Sequence, residues 1–462
     1  MKVRDVLTLD VEDVALGGKA LARVDGRVVF VDRGLPGDRV SARVTKTNKR
    51  FAEARLAAVQ RPSPERVPAR CVHVERCGGC RLQELPYAQQ LGLKERQVRE
   101  ALRHLGGIPD PPVRAIVPAP SAWGYRNKME FSFAPDEAGR PLLGLHERGT
   151  FDRVFALSEC WLPSPLTVEI VRFTQVFAAG HGWRAYHPSR HDGVARFLTV
   201  RHLPHTASCA VQLIAAGAGE PELPGLEAWA RGVAALSPEV RTVTLGINSG
   251  RAHVAFAERE RALHGDGVIV ERLLGLEFEV VANAFLQTNS AQAERLYEGA
   301  LAAAALDGSE AVLDLYSGAG TLTLLFARAA REAVGVESVP DAVERARRNA
   351  VRNRIANARF ELGEARAVLR EWARGERQGA PRPDVVVVDP PRAGLHPRVV
   401  ARVAELSPKR IVYVSCNPAT LARDLKDFAA LGWRAADLTP YDMFPHTPHI
   451  ECVARLERVR AN

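Results

Sequence analysis

From Phe285 onward the chain alternates two patterns. Short apolar runs at Ala311–Tyr316, Ala333–Glu337, Ala358–Leu362, Asp384–Asp389 and Arg410–Ser415 are separated by longer segments of helical character. Strands alternating with helices predict an α/β fold with a doubly wound, mostly parallel sheet, and a run such as Val385-Val386-Val387-Val388 suits a strand buried on both faces. Two closing strands, around Ala435–Leu438 and His449–Leu456, have too short a connection for a helical crossover and are expected to pair antiparallel.

The first 60 residues read differently. Ala20 to Val31 alternates around Asp25-Gly26, a hairpin signal, Pro36-Gly37-Asp38 marks another turn, and Val40–Val44 and Phe51–Val59 continue the alternation. These short strands predict a small β-barrel, whose loop Lys46-Thr47-Asn48-Lys49-Arg50-Phe51 sets cations beside an aromatic, as suits phosphates and an unstacked base or simply a solvated hairpin. A proline-rich linker, Arg61–Arg70, follows, then a helix from Leu85 to Leu105 with Leu91, Val98, Leu102 and Leu105 on one face, expected to pack the segment before it onto a neighbour. Residues 108–284 mix strands with two or three helices. The expected organisation is thus a barrel (1–60), a mixed α+β region (61–284) and the α/β domain (285–462).

Composition narrows the classes. In 462 residues, 46% hydrophobic and 25% charged content is ordinary for a globular chain, and the net charge of +9 favours a polyanionic partner or merely solubility. The N-terminal MKVRDVLTLDVEDV lacks an apolar signal core and no run approaches a membrane span, so a cytoplasmic protein without a membrane partner is expected; no obligate protein partner is evident. The seven cysteines are too few for a disulfide scaffold in so long a chain. Cys71, Cys77, Gly78, Gly79 and Cys80 form a knuckle whose glycines would let the backbone wrap tightly, and Cys160, in a turn-like segment, is the best distant fourth ligand. One local C-x2-C leaves zinc and an iron–sulfur cluster both open. Cys209, inside a strand-like run, reads as core.

Candidate chemistry lies at the tips of the C-terminal strands. Ser415-Cys416-Asn417-Pro418 delivers a thiol to a strand end, where it is either a buried small hydrophobe or a nucleophile. Asp389-Pro390-Pro391 presents a carboxylate at the same edge on the preceding strand, which favours the nucleophile. The glycines of Tyr316-Ser317-Gly318-Ala319-Gly320-Thr321 allow close approach of a ligand, and Glu337 can accept from ribose hydroxyls. Lacking the third glycine of the dinucleotide fingerprint, this pair favours S-adenosylmethionine over NAD. In Asp442–Glu451, Glu451 and Cys452 alternate, so one of them reaches the cleft, and His446 and His449 lack companion ligands for a metal. Arg126, Asn127 and Lys128 at a strand mouth suit RNA contact or an ordinary charged strand end.

Gly17-Gly18-Lys19-Ala20 and Gly34-Leu35-Pro36-Gly37-Asp38 resemble a TRAM domain, an RNA-binding barrel of the oligonucleotide-binding type. With the cysteine knuckle, Ser415–Pro418 and His446-x-x-His449-Ile450-Glu451, nearly the whole chain resembles a class I S-adenosylmethionine-dependent RNA (uracil-5-)-methyltransferase, with a Rossmann-like seven-stranded catalytic domain. The resemblance implies Cys416 as nucleophile, Glu451 as base and Asp389 as a further catalytic group. It implies cofactor contacts at Gln287, Tyr316, Gly318, Gly320, Thr321, Glu337, Glu364 and Asp389, of which Tyr316, Thr321 and Glu364 fall at variable positions. It also implies a 4Fe-4S cluster on Cys71, Cys77, Cys80 and Cys160, with Phe285, Gln287, Arg126 and Lys128 meeting the RNA substrate. Ribosomal RNA is implied ahead of tRNA. The alternatives from the residues are an amino-group methyltransferase on adenine, which would use the Asp-Pro-Pro turn without a thiol, and an inactive RNA-binding factor.

Overall fold

The computed structural model describes residues 1–459. Strands β1 (Val6–Asp10), β2 (Asp13–Val14), β3 (Ala20–Val24), β4 (Arg27–Val31), β5 (Arg39–Thr47) and β6 (Phe51–Arg61) form one sheet in the order β1-β5-β6-β4-β3-β2. Alternate residues, among them Val40, Ala42 and Val44 on β5, meet Leu9, Ala22, Val29 and Ala52 in an apolar core. The hairpin at Asp25-Gly26 forms as expected, with Val24 opposite Arg27 and positive φ at both turn residues.

Helix α1 (Tyr87–His104) departs from the expected face. Leu105 is 50% exposed and Leu91 only partly covered, whereas Leu93, Lys94, Gln97, Val98, Ala101 and Leu102 are buried. The difference has a local cause: two fully buried polar side chains, Gln90 and Lys94, lie on the packed face, which a search for leucines passes over. Val98, Ala101 and Leu102 join the core of the C-terminal domain, so the helix packs there.

Next come β7 (Lys128–Pro135), β8 (Pro141–His146), β9 (Val154–Ala156), α2 (Pro165–Gly180), β10 (Ala195–Leu203), β11 (Ser208–Ala216), α3 (Leu226–Ala235), β12 (Val240–Asn248) and β13 (Arg259–His264). Their sheet runs β13-β12-β11-β10-β7-β8-β9, with β11 and β12 parallel and the other neighbours antiparallel. Helices α2 and α3 cover one face through Ile170, Val171, Trp229 and Val233, and Cys209 is buried in that core as expected. The hairpin β14 (Ile269–Leu273) and β15 (Leu276–Val280) packs instead into the C-terminal core.

That last domain contains α4 (Ser290–Ala304), β16 (Ala311–Leu315), α5 (Thr321–Ala327), β17 (Glu332–Glu337), α6 (Pro340–Arg352), β18 (Ala358–Leu362), α7 (Ala365–Arg374), β19 (Val385–Val388), α8 (Pro397–Glu405), β20 (Arg410–Ser415), α9 (Pro418–Ala430), β21 (Trp433–Tyr441) and β22 (Glu451–Arg458). The sheet order is β18-β17-β16-β19-β20-β22-β21. Strands β16 to β20 are parallel, and β22 inserts antiparallel between β20 and β21, the pairing expected of the closing strands. Val385–Val388 is buried on both faces, between one helical layer containing α4, α5 and α6 and another containing α7, α8, α9 and α1. No helix among the described residues is long and apolar enough to cross a membrane.

Candidate active site

The sheet's carboxyl edge assembles the chemistry. Because β22 runs against β20, its first residue lies beside the last residues of β20: Ser415 pairs with Cys452, so Cys416 and Glu451, one step outward on each strand, adjoin. On the other side of β20, Val388 pairs with Tyr413, bringing the Asp389 turn to the same edge. Asn417 ties these two turns together. It caps α9 by accepting from Ala419 N, and its Nδ2 donates to the Arg392 carbonyl at 3.1 Å. Cys452 points away into the core, so Glu451 is the member of the pair that faces the cleft.

The electrostatics are dominated by buried carboxyls. Burial pushes Asp389 up to about 7. Asp314 rises to about 7 for the same reason, opposed by the Thr323 hydroxyl that donates to it at 2.6 Å and reinforced by the charges of Asp389 and Glu337. Glu451, 4% exposed, is held well above the usual carboxylate range by burial and then by Asp389, against which the Arg392 guanidinium acts. Cys416 is half-buried and pushed up to about 11 by burial, Glu451 and Asp389, again opposed by Arg392. A thiol and two carboxyls thus sense one another within a single cleft.

Beside them lies a cradle for a ligand. Tyr316 takes a positive φ of 72°, Gly318 54° and Gly320 84°, turning the chain sharply between β16 and α5. A Cβ added at Gly318 would meet nothing within 4 Å, so its backbone faces open space, whereas one at Gly320 would strike Ala346 and Phe360. Glu337 accepts from Gly318 N at 3.0 Å and from Ser338 N at 2.7 Å, which fixes its carboxylate at the mouth of this turn. Thr321 opens α5, and Glu364 stands exposed at the start of α7, just past β18. The open backbone and anchored carboxylate fit an adenosyl cofactor. Gln287 is buried, in a loop held from the central sheet by Asn127, whose Nδ2 donates to the Gln287 carbonyl at 3.0 Å. Asn127 therefore faces inward, unlike the RNA contact considered for it.

A second assembly adjoins this site, for its lining includes His449, two residues before Glu451, and Leu286 and Thr288, which flank Gln287. Cys71, Cys77, Cys80 and Cys160 all line one cavity of about 660 Å³, whose walls include Arg126, Lys128 and Phe285, the last 78% exposed. Burial pushes Cys80 up, and the charges of Cys160, Cys77 and Cys71 add to it, so the thiols are neighbours. Cys160 rises to about 11 through burial. Yet among the described residues no group of three or more His, Cys, Asp or Glu is arranged to hold a metal ion. The ligand set expected from the sequence is present as a shared cavity and not as a formed ion site. Gly78 and Gly79 take no positive φ, and a Cβ at either would make only ordinary contacts, so the tight wrap argued for them is not what they supply.

Residues 227–459 match the family model described as tRNA (Uracil-5-)-methyltransferase, half of the chain. The chain belongs to that family. Residues 1–57 of this uracil-5-methyltransferase match the TRAM domain. A curated protein from Nitratidesulfovibrio vulgaris, described as an uncharacterized RNA methyltransferase, is 40% identical over 97% of the chain and 96% of its own length. One from Bacillus cereus with the same description is 37% identical over 97% and 95%. Among solved structures, Pyrococcus abyssi tRNA (uracil-54, C5)-methyltransferase in complex with S-adenosyl-L-homocysteine superposes with a TM-score of 0.76, at 29% identity, covering 97% of this chain and 99% of that one. The protein is an S-adenosylmethionine-dependent RNA methyltransferase of the uracil-5 type.

Two groups in the methyltransferase site escape a reading by motif alone. Arg392 is the cation whose charge bears on Cys416 and Glu451, and it directly follows the Asp389-Pro390-Pro391 turn, where a cation three residues after the aspartate is the available signal. Asp314 precedes the glycine turn and is buried against Thr323, a pairing that only the folded spacing of β16 and α5 reveals.

Proposed function

We propose that this enzyme methylates C5 of a particular uridine through a transient bond from Cys416 to C6 of the uracil. The observation that carries the reading is the antiparallel register of β20 and β22, which sets a thiol beside a carboxyl at one sheet edge. S-adenosylmethionine, when bound, supplies an electrophilic methyl on a positively charged sulfonium. Placed near Asp389 and Glu451, a positive charge opposes the two influences that, with burial, hold the Cys416 thiol up, so the thiolate forms when the site is filled. Cys416 Sγ adds to C6, which makes C5 nucleophilic enough to take the methyl group, the sulfonium–methyl bond breaking so that S-adenosylhomocysteine would leave as the neutral thioether. C5 then carries both methyl and hydrogen. Glu451 removes that proton, the C5–C6 double bond re-forms and the C6–S bond breaks, returning the thiolate.

Gln287, Tyr316, Gly318, Gly320, Thr321, Glu337, Glu364 and Asp389 hold the cofactor in this reading, with Gln287 and Asp389 also reading the polar edge of a uracil taken out of its stack and Phe285 stacking on RNA. Arg126 and Lys128 meet phosphates. The four cysteines bind a 4Fe-4S cluster, a reading supported by their lining one cavity together. Anaerobic protein should then be brown, with colour and iron lost in Cys77→Ser/Cys80→Ser. The enzyme works in the cytoplasm on ribosomal RNA. A tRNA target is the second reading, favoured by the Pyrococcus abyssi relative of nearly equal extent.

Release of tritium from C5-labelled uridine in RNA, dependent on S-adenosylmethionine, tests the chemistry. Wild-type enzyme that methylates RNA without releasing it, or that methylates adenine, would overturn the proposal. Mapping 5-methyluridine in ribosomal and transfer RNA from cells lacking the protein decides between the two targets.

A further inference from the structure

The segment from Asp442 to Ile450 joins β21 to β22 and ends on Glu451. It closes one local turn, Thr447 N and Oγ1 donating to the Phe444 carbonyl at 3.2 and 2.8 Å, while several of its other polar groups are taken up by distant parts of the chain. Lys94 on α1 is fully buried and donates to Asp442 Oδ1 at 2.5 Å and to the Phe444 carbonyl at 3.1 Å. One turn earlier, Gln90 accepts from His446 N at 2.8 Å, and its Nε2 lies 3.1 Å from His446 Nδ1. His446 has a φ of 66°, uncommon for a residue with a side chain, and Trp123 stacks on its ring at 3.8 Å. A conformation of this sort costs about 1–3 kcal/mol and persists only where surroundings over-determine it.

A wholly buried ion pair is a poor source of stability, since desolvation offsets much of the attraction. What Lys94 and Asp442 do supply is a single geometry, because among the described residues neither charge has another ion-pair partner, and a displaced loop would strand both charges. We propose that Gln90 and Lys94 are positioning residues for Glu451, holding the 442–450 segment so that the carboxyl emerges beside Cys416. The assignment rests on the proposed role of Glu451 as the base. It gives α1, which packs against the C-terminal domain, a part in the last chemical step alone.

The step-specific consequence makes the test. In Gln90→Leu, and in Lys94→Met/Asp442→Leu where both charges are removed so that none is left buried alone, kcat on ordinary RNA should fall about 100-fold, the scale of a displacement near 1 Å. KM for RNA and for S-adenosylmethionine should hold, and a covalent enzyme–RNA species should accumulate on denaturing gels, because addition and methyl transfer proceed while proton removal stalls. RNA carrying 5-fluorouridine should trap these variants as fast as it traps wild type. Folded variants with wild-type kcat overturn the assignment, as do variants in which trapping and turnover fall together. Wild-type enzyme that is never trapped by 5-fluorouridine RNA overturns the reading of the site itself, and is told apart because the variants play no part in that result.

Discussion

The catalytic edge and the cysteine cavity each gather residues from far apart in the chain, but by different means. At the edge, Cys416 and Glu451 adjoin because two strands share a ladder of paired residues from Arg410–Glu457 to Ser415–Cys452, and a slip of one residue would turn every side chain of β22 to the wrong face. At the cavity, the knuckle is pinned by side chains from the loops around Cys160: Arg148 donates to the Val74 and Cys77 carbonyls, Glu159 accepts from Val72 N, and His73 meets Ser158. A ladder makes geometry cooperative and independent of any ligand. A loop-built set of four part-buried thiols, of which burial raises Cys71, Cys80 and Cys160, gains from whatever neutralises them.

The largest expected difference follows from this. Cys416→Ala should lose turnover by about 10⁴-fold or more, as removal of a nucleophile does, together with all trapping by 5-fluorouridine RNA, while its melting temperature hardly changes. Cys77→Ser/Cys80→Ser should show the reverse, a lowered melting temperature with catalysis per folded molecule largely kept. A folded double variant as inactive as Cys416→Ala would erase the distinction between the two regions. A smaller effect is expected where they meet. Phe285, exposed on the cavity wall, should contribute one stacking contact, so Phe285→Ala should raise KM for RNA about 5- to 100-fold with kcat unchanged, measured under single-site methylation conditions.

How much of this was legible beforehand follows the same division. The parallel strands, the closing antiparallel pair and the convergence of Asp389, Cys416 and the glycine turn could be read from apolar runs ending in polar turns, because each residue sits within one or two positions of a strand end. Glu451 could be narrowed only to one of two alternating residues, since choosing its face needs the register with β20. The faces of α1 were misjudged because its buried side includes Lys94 and Gln90, polar residues whose partners Asp442 and His446 are more than 300 positions away. Asn127 stays undecided in the sequence between RNA contact and an ordinary strand end for a similar reason: its partners, the Gln287 carbonyl and the Ser290 hydroxyl, come from the loop before α4 and from its first residue. Local pattern carries strand tips well and long-range polar partners hardly at all.

The smallest expected effect probes the field of the edge itself. An ordinary aspartate ionises near 3.8, but burial raises Asp389 to about 7 in the fold. Between those values the folded protein keeps a proton that the unfolded chain has released. The protonated carboxyl therefore favours the fold fully below about 3.8, and that advantage is lost as pH rises to about 7, above which an ionised group stays buried. Asp389→Asn removes the proton exchange while keeping the shape. Its melting temperature relative to wild type should climb by roughly a few degrees between pH 4 and pH 7 and level off above, and relief of the Asp389 push on Asp314 and Glu451 adds to the climb with the same sign. The central core offers the control: burial pushes Cys209 up to about 12, so Cys209→Ser should show no such slope in that window. A flat difference for Asp389→Asn across pH 4 to 7 would mean that the carboxylate is already ionised in the fold, and that the upward push on Cys416 from this neighbour operates at neutral pH even before RNA or cofactor arrives.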